Sequence, residues 1–532
     1  MVKLNKEQTQ AVNSKSDRIL CLAGAGAGKT ATMLERVSNL VSNGVTPSSI
    51  MALTFTNAAA AEMRERYESK NLGKETPEFR TFHSFCYSIV CKDLNIRTAL
   101  GYEEVPMIAS EEQEKEIKEK AKIQCNITLS KDKLEHRENL TKKEQFQVDL
   151  YDKAINRLMR SANIITFDKL NSEVADLFAA DNPSTKVYKD KYKYIFVDEF
   201  QDTDHHQIKF LNSFPHTDFY FCGDVLQEIY RFRGTSNEYI KILSNTPDWE
   251  KIKLFTNYRS TNQICEYANK FSKKYADPSY RIEMQGIRDG DRVITKLVNG
   301  PGYYSAIDLS DIDDVLTERE KLQGTSAIIC RTNKEVSAVI SYLKSHDVEF
   351  TTNKDVKIQK IIDCALSDTY MLGLMASYLS TNKYGEYIRL SAQTEKPDLE
   401  WFLHLYGNTP QIKEDVKNIK ALKDIAFTGF STNEKIDKVS ELFHIKNIQK
   451  TDTFYFGNEF LTYLQEAVSN IKSSELYVGT IHSVKGLEYD NVFVMNVGSY
   501  CFKLEDEEMK NLFYVAITRA KNHLFVYELF DD

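Results

Sequence analysis

The feature that most constrains this chain is an apolar run that breaks into a glycine-rich loop, RILCLAGAGAGKT at residues 18–30. The run predicts a buried strand, and the small residues after it allow the backbone to wrap around a phosphate with its N–H groups pointing inward. Lys29 is then placed to reach the β- and γ-phosphates of a nucleotide, and Thr30 to hold Mg²⁺. The cradle itself, with alanine in place of the usual first glycine, consists of Ala23, Gly24, Ala25, Gly26, Ala27 and Gly28.

Length and composition bound the class of protein. At 532 residues the chain exceeds what one hydrophobic core usually supports, so we expect several domains. The net charge of −8 excludes a global attraction to nucleic acid, and any DNA contact must come from a local groove. Nine cysteines without a CxxC pair favour reduced thiols over disulfides or a zinc site. No secretory signal or bilayer-spanning run is visible, so we expect a cytoplasmic protein without membrane association.

Strands and helices alternate along residues 18 to about 90, which predicts a parallel sheet with crossover helices. From about 91 to 163 the chain changes to dense Lys/Glu helices, which are either solvated surface helices or an insertion that borders a nucleic-acid track. A second α/β unit begins near residue 255, with TSAIIC at 325–330 as a buried strand. Residues 355–465 are expected to be helical and irregular.

Two carboxylates follow an apolar strand in YIFVDEFQDTD at residues 194–204. Because ligands of open α/β sheets bind at the carboxyl ends of strands, Asp198 is predicted to hold Mg²⁺ and Glu199 to orient and deprotonate the attacking water. Taken by itself, such a stretch is more commonly a strand followed by an acidic turn. The phosphate loop earlier in the chain favours the catalytic interpretation.

The apolar run FYFCGDVLQEIYRFRG at residues 219–234 repeats this arrangement. Gln227 follows its tip, where a neutral amide can contact the γ-phosphate. Beyond it, Tyr230, Phe232 and Arg233 alternate aromatic rings with a cation, as the stacking of single-stranded bases requires. Aromatic residues at this spacing also occur in ordinary cores, so both interpretations stay open.

Eight stretches in one order resemble the UvrD, Rep and PcrA family of superfamily 1 DNA helicases. They are LNKEQTQAV, AGAGAGKT, TFTNAAAAEMRER, RTFHS, VDEFQDTD, NYRST, TIHSVKGLEYDNVF and YVAITRA, with FCGDVLQEIYRFRG as a weaker ninth. The resemblance implies an α/β fold with two RecA-like parallel-sheet domains and helical insertions. It implies a first RecA-like domain at 1–90 and 164–255 with a 1B-like insertion at 91–163, and a second at 256–354 and 466–532 with a 2B-like insertion at 355–465.

The same resemblance implies ATP in the cleft between the two domains. Gln8 then resembles the adenine reader and Tyr258 the ring stacked on the adenine, with Glu488 near the ribose. Arg259 and Arg519 resemble arginine fingers that reach the γ-phosphate from the second domain. Gln227 resembles the γ-phosphate sensor, while Lys29, Thr30, Asp198 and Glu199 keep the roles given above. On the DNA side the resemblance implies contacts from Phe55, Asn57, His83, Tyr230, Phe232, Arg233 and His482.

The expected function is a DNA-dependent ATPase that moves 3′ to 5′ on single strands, with ATP and Mg²⁺ as cofactors and single-stranded DNA or single/double-strand junctions as partners. Translocation is expected more than processive unwinding, because the insertions, which help to grip and split the duplex, are shorter than in the large members of the family. Val225 and Leu226 also stand where the family usually has acidic residues.

The alternative is a nucleotide-gated, DNA-sensing regulatory subunit of a nuclease complex, since compact members of the family occur beside a nuclease in bacterial anti-phage defence. A kinase with the same loop is disfavoured by the paired domains and the two late arginines.

Overall fold

The computed structural model describes residues 4–73, 75–109, 111–130, 133–134, 140–231, 235–298, 307–352, 361–362, 365, 410–443, 448–470, 475–499 and 502–529. The strands are β1 (Arg18–Ala23), β2 (Ile50–Thr54), β3 (Glu78–Thr81), β4 (Met107–Ile108), β5 (Ile164–Ile165), β6 (Tyr194–Val197), β7 (Asp218–Gly223), β8 (Glu250–Leu254), β9 (Thr256–Asn257), β10 (Gln285–Gly286), β11 (Ile294–Val298), β12 (Ser326–Cys330), β13 (Leu476–Thr480), β14 (Tyr489–Val497) and β15 (Ala520–Leu529).

The helices alternate with these strands over much of the chain. They are α1 (Lys6–Asn13), α2 (Lys29–Ser42), α3 (Asn57–Glu68), α4 (Phe82–Lys92), α5 (Leu94–Ala99), α6 (Glu111–Gln124), α7 (Lys142–Ser161), α8 (Phe167–Ala179), α9 (Lys186–Lys191), α10 (His205–Leu211), α11 (Glu238–Asn245), α12 (Asn262–Tyr275), α13 (Leu309–Glu320), α14 (Asn333–Ser345), α15 (Pro410–Ala426), α16 (Thr432–Phe443), α17 (Asn458–Asn470) and α18 (Glu507–Ile517).

The first large sheet has six parallel strands in the order β3-β2-β6-β7-β1-β8. All five residues of β2 are buried, as expected for a parallel sheet with helices on both faces. Because the strands are parallel, the loops after β1, β6 and β7 leave the same edge of the sheet. We call this sheet and the elements packed on it the first lobe.

The second large sheet has five parallel strands in the order β11-β15-β14-β12-β13. Its strand β12 covers the predicted TSAIIC strand and is buried throughout. This sheet and the elements packed on it form the second lobe. The expectation of an α/β fold built on two parallel sheets is therefore confirmed.

The largest hydrophobic cluster extends across both lobes. It contains Leu22 of β1 in the first lobe, and Val494 of β14 and Tyr514 of α18 in the second. Met284, just before β10, belongs to the same cluster, and a Cβ built on Gly24 would lie 2.6 Å from the Met284 Cγ atom. The close approach of Met284 therefore explains why the loop has glycine at position 24.

The helices between residues 91 and 163 have a small core of their own, which includes Val148 and Tyr151 of α7. On α6 the exposed surface carries ion pairs at helical spacing, such as Lys118 with Glu114. This surface fits the expectation of solvated Lys/Glu helices.

The predicted insertion at residues 355–465 lies largely outside the described residues, which include α15, α16 and the start of α17 there. The boundaries of the four predicted domains stay predictions. Within the described ranges, no helix combines the length and the apolar character needed to cross a bilayer.

Candidate nucleotide site and nucleic-acid interface

The phosphate loop joins the buried strand β1 to helix α2. Gly26 and Gly28 adopt φ values of 68° and 75°, in the left-handed region where glycine carries no steric penalty, and α2 begins at Lys29. Gln8 of α1 is buried beside the loop, and its Nε2 atom donates a hydrogen bond to the Ala27 carbonyl at 3.2 Å. Gln8 therefore fixes the backbone of the loop from the side of the first helix.

The two predicted carboxylates lie opposite the start of α2. The Thr30 hydroxyl donates to Asp198 Oδ2 at 2.6 Å, while Asp198 Oδ1 accepts from the Glu199 N–H and from the Cys222 thiol, each at 3.0 Å. Lys29 Nζ lies 3.8 Å from Glu199 Oε2. A hydroxyl and a carboxylate are hard oxygen ligands of the kind that Mg²⁺ binds alongside phosphates, so this donor set fits Mg²⁺.

Burial and neighbouring charges shift the pKa values of Asp198 and Glu199 in opposite directions. Burial opposes the charge of Lys29, but the carboxylates of Glu199 and Asp224 outweigh it and hold the pKa of the ammonium above its ordinary value. Burial and repulsion from Glu199 raise the pKa of Asp198. Burial also acts against the charge of Glu199, but Lys29 and Lys485 outweigh it and hold its pKa below the ordinary value. Glu199 is therefore ionised at neutral pH.

A chain of amides connects Glu199 to the predicted γ-phosphate sensor. Gln201 Nε2 donates to Glu199 Oε2 at 2.6 Å, and Gln201 Oε1 accepts from the Asp224 N–H at 3.0 Å. Asp224 Oδ2 in turn accepts from Gln227 Nε2 at 2.7 Å. Sequence reasoning assigned no role to Gln201 or Asp224, although each lies in the turn that directly follows a motif strand. The arrangement fixes the amide of Gln227 relative to the carboxylate of Glu199.

The two residues that depart from the family pattern, Val225 and Leu226, lie in the short turn that contains Gln227. Both side chains are buried and belong to the large hydrophobic cluster. They contribute to packing beneath the turn.

The segment at residues 257–260, which follows the first lobe, lies directly on the phosphate loop. Asn257 Nδ2 donates to the Ala25 carbonyl at 2.8 Å, and the Tyr258 N–H donates to the Gly26 carbonyl at 3.0 Å. Asn257 Oδ1 accepts from the Arg259 N–H at 2.7 Å and thereby fixes the turn that carries the arginine. Sequence reasoning missed Asn257. Its position immediately before Tyr258 and Arg259 was the available signal.

Arg259 and Glu488 are paired across the second lobe. Arg259 Nε donates to Glu488 Oε2 at 2.7 Å, and its Nη1 donates to the Thr518 carbonyl at 3.2 Å. Glu488, expected near a ribose, also lies 3.1 Å from Lys521 Nζ. The ring of Tyr258, expected to stack on adenine, is 40% exposed beside the loop.

Arg519 is buried, with 2% of its surface exposed, between the end of α18 and the start of β15. Its Nε donates to the Val515 carbonyl at 2.9 Å and its Nη2 to the Thr518 hydroxyl at 3.0 Å. Burial lowers the pKa of Arg519 to about 9, and repulsion from Arg259 acts in the same direction while Glu199 opposes it. A buried guanidinium that donates to neutral groups is one whose charge an approaching anion would stabilise.

Aromatic residues predicted to contact DNA meet beside this centre. The rings of Phe55 and Tyr230 stack with centroids 4.9 Å apart and planes 12° apart, and the Tyr230 ring lies 6.3 Å from that of His482. Lys485 Nζ lies 4.6 Å from the Tyr230 centroid, pairs with Asp202 at 2.5 Å and donates to the Gln227 carbonyl at 2.8 Å. Lys485 therefore touches both the aromatic pair and the turn that contains Gln227.

His83 lies farther along the same surface and contacts an aromatic residue that sequence reasoning missed. The Phe167 ring packs edge-on to His83 at 5.5 Å and is 44% exposed. Asn57 begins α3. Phe232 and Arg233 lie outside the described residues.

Two family models match the chain, and together they cover most of it. One model, the UvrD/REP helicase N-terminal domain, matches residues 4–248. The other, the UvrD-like helicase C-terminal domain, matches residues 252–364 and 367–528. This chain belongs to the UvrD-like helicase family. The resemblance expected from the motifs is thereby confirmed.

Individual UvrD-like relatives extend over nearly the whole chain at modest identity. The chain is 26% identical to a probable DNA helicase II homolog of Mycoplasma capricolum, over 98% of this chain and 84% of that protein. It is 27% identical to the putative ATP-dependent DNA helicase YjcD of Bacillus subtilis, over 99% and 78% respectively. It is also 25% identical to the ATP-dependent DNA helicase PcrA of Staphylococcus epidermidis, over 98% and 83%.

We expect Asn257→Asp to weaken nucleotide binding. The substitution keeps the oxygen that accepts from Arg259 but turns the donor that faces the Ala25 carbonyl into a second acceptor. A buried acceptor left without its partner costs about 1–3 kcal/mol. If nucleotide binding has to restore the loop against this cost, the affinity falls by roughly 5- to 150-fold. Equilibrium titration with a fluorescent ATP analogue measures this loss.

The matched control is Asn245→Asp, because Asn245 Nδ2 also donates to a carbonyl, that of Lys241, but at the exposed end of α11. The control should bind like the unmodified chain. Unchanged affinity in Asn257→Asp, or equal losses in both variants, would contradict the role given to Asn257.

Proposed function

We propose that this chain is an ATP-driven motor that translocates 3′ to 5′ on single-stranded DNA and unwinds duplex at single/double-strand junctions. The observation that carries the proposal is that Arg259 lies against Gly26 of the phosphate loop, beside the Lys29–Glu199 pair of the first lobe, while the charge of Glu199 acts on Arg519. Arg519 is buried at this place, with its Nε donating to the Val515 carbonyl and its Nη2 to the Thr518 hydroxyl. Membership of the UvrD-like family supports the direction of movement.

The nucleotide is proposed to lie along the phosphate loop with its base between Gln8 and Tyr258. Gln8 contacts Ala27 at one end of the loop, and Tyr258 contacts Gly26 through its backbone. The exposed ring of Tyr258 provides a flat apolar surface for adenine. Glu488, paired with Arg259, is the neighbouring acceptor for a ribose hydroxyl.

Different residues of this chain have different roles in the proposed hydrolysis of ATP. Glu199, held ionised by Lys29 and Lys485, accepts a hydrogen bond from the attacking water and orients it. Thr30 and Asp198 would hold Mg²⁺, which would supply positive charge to the phosphates. Arg259 and Arg519 contribute guanidinium charge from the second lobe, an effect worth about 10³–10⁵ in rate in related chemistry.

The contacts of Lys485 supply a physical route from DNA to the nucleotide. Its ammonium lies over the ring of Tyr230, forms an ion pair with the buried Asp202 and donates to the Gln227 carbonyl. A base that stacks on Tyr230 competes with Phe55 for the ring and alters the surroundings of Lys485. Because Lys485 also stabilises the charge of Glu199, DNA binding then changes the field at the catalytic carboxylate.

The proposed DNA partner is bound through stacking and local charge. Base stacking contributes roughly 1–3 kcal/mol per base and tolerates any sequence, so binding should be nonspecific and strongly salt dependent. Phe167 is added to the proposed DNA contacts Phe55, Asn57, His83, Tyr230, Phe232, Arg233 and His482 because it is exposed and packs on His83.

A reducing cytoplasm is the proposed location, and the seven cysteines in the described part of the chain are free thiols.

The rate of ATP hydrolysis with and without single-stranded DNA tests the proposal. We expect DNA to raise the rate, and Tyr230→Ala to raise the DNA concentration needed for half-maximal stimulation by about tenfold, since one stacking surface is lost. Tyr230→Phe keeps the ring and should stay close to the unmodified chain. A hydrolysis rate that does not change on adding DNA would contradict the motor proposal. Equal loss of the basal and the stimulated rates in Tyr230→Ala would contradict the role given to Tyr230.

Tailed duplexes distinguish movement from sensing. The proposal predicts ATP-dependent strand release from a duplex with a 3′ single-stranded tail and little from the same duplex with a 5′ tail. Release from the 5′-tailed duplex alone would reverse the polarity. No release from either, with DNA-stimulated hydrolysis intact, would favour a nucleotide-gated sensor that controls a nuclease subunit in anti-phage defence, which is the second proposal.

A further inference from the structure

The two candidate arginine fingers belong to segments that are far apart in the chain and adjacent in the fold. The Ser260 hydroxyl, one residue after Arg259, donates to the Ala520 carbonyl at 2.7 Å. The Thr261 N–H donates to the Lys521 carbonyl at 3.2 Å. The relative position of the fingers therefore depends on how the backbone at residues 258–261 is held against the start of β15.

Arg288 bridges these two segments with its guanidinium. Its Nη2 donates to the Arg259 carbonyl at 2.6 Å, to the Lys521 carbonyl at 3.1 Å and to Asn522 Oδ1 at 3.2 Å. Its Nη1 lies 3.5 Å from the Tyr258 carbonyl. One side chain thus contacts backbone on both sides of the junction, next to Arg259 and two residues after Arg519.

The loop that carries Arg288 is itself fixed to residues 257–262. Gly286 pairs with Asn257 between β10 and β9, and a Cβ on Gly286 would lie 2.8 Å from the Asn262 nitrogen, which leaves no room for a side chain. The Asn262 N–H donates to the Arg288 carbonyl at 2.8 Å, and Asn262 Nδ2 donates to Asp289 Oδ1 at 2.8 Å. Contacts of Gly286, Arg288 and Asp289 with Asn257 and Asn262 therefore hold the loop of Arg288 in place, and none of them involves the aromatic pair.

We propose that Arg288 is a positioning residue for ATP hydrolysis. It holds the segments of Arg259 and Arg519 in a fixed relative position, so that both guanidiniums can contact the same phosphate. This inference rests on the proposed function. A guanidinium suits the role because its planar fork of donors reaches several carbonyls at fixed angles, which a lysine ammonium cannot do. Arg288 acts through Arg259 and Arg519 and contacts no group that we assign to the phosphate loop.

Steady-state hydrolysis by Arg288→Ala and Arg288→Lys tests the inference. Displacement of a catalytic group by about 1 Å costs up to roughly 10²-fold in rate, so we expect kcat to fall by about ten- to a hundredfold in both variants, with KM for ATP changed less than about threefold. Arg292→Ala is the matched control, since Arg292 is exposed four residues farther along, and it should hydrolyse ATP like the unmodified chain. Thermal unfolding of each variant verifies that the fold is kept, and Arg288→Gln replaces Arg288→Ala if that variant does not fold.

A double-mutant cycle with Arg259→Ala separates positioning from a general structural effect. If Arg288 acts through the fingers, its substitution should lower kcat much less in the Arg259→Ala background than in the unmodified chain. Additive losses, or a normal kcat in both Arg288 variants while Arg259→Ala and Arg519→Ala lower it, would overturn this inference alone. If neither finger variant lowers kcat, the assignment of the fingers in the proposed function fails, and the inference fails with it.

Discussion

The structure depends on the contact between the phosphate loop and the backbone at residues 257–258. Two hydrogen bonds, from Asn257 Nδ2 to the Ala25 carbonyl and from the Tyr258 N–H to the Gly26 carbonyl, fix this contact. A Cβ on Gly26 would lie 2.7 Å from both the Asn257 Oδ1 and the Arg259 Cβ, so glycine at this position is a condition of the contact. The loop that cradles the phosphates and the segment that carries a candidate finger therefore form one local unit.

Charge is arranged around this contact so that an anion has defined partners. Lys29 and Lys485 stabilise the ionised carboxylate of Glu199, and burial disfavours the charge of Arg519 where it donates to neutral groups. An anionic phosphate would relieve that cost. In the ion pair of Arg259 with Glu488 the carboxylate side chain is 43% exposed, so water can solvate it when the Arg259 guanidinium turns toward a phosphate.

The sequence predicted the two parallel sheets and the residues at their strand ends. A glycine loop or a carboxylate pair directly after an apolar run can be recognised from neighbouring residues alone. It did not predict the amide chain through Gln201, the clamp by Arg288 or the packing of Phe167 on His83. These depend on side-chain directions across distant parts of the chain, and neither spacing nor composition encodes such directions. The roles of individual site residues, including Glu488 near a ribose, stay predictions.

The central claim is that two lobes share one triphosphate and that the second lobe completes the reaction centre. The most direct measurement is a crystal structure of the full chain with Mg²⁺ and ADP–aluminium fluoride, which mimics the transferring phosphoryl group. The account predicts guanidinium nitrogens of Arg259 and Arg519 within about 3 Å of the fluoride ligands, opposite Lys29. A fluoride held by first-lobe residues alone, with both guanidiniums directed elsewhere, would contradict it.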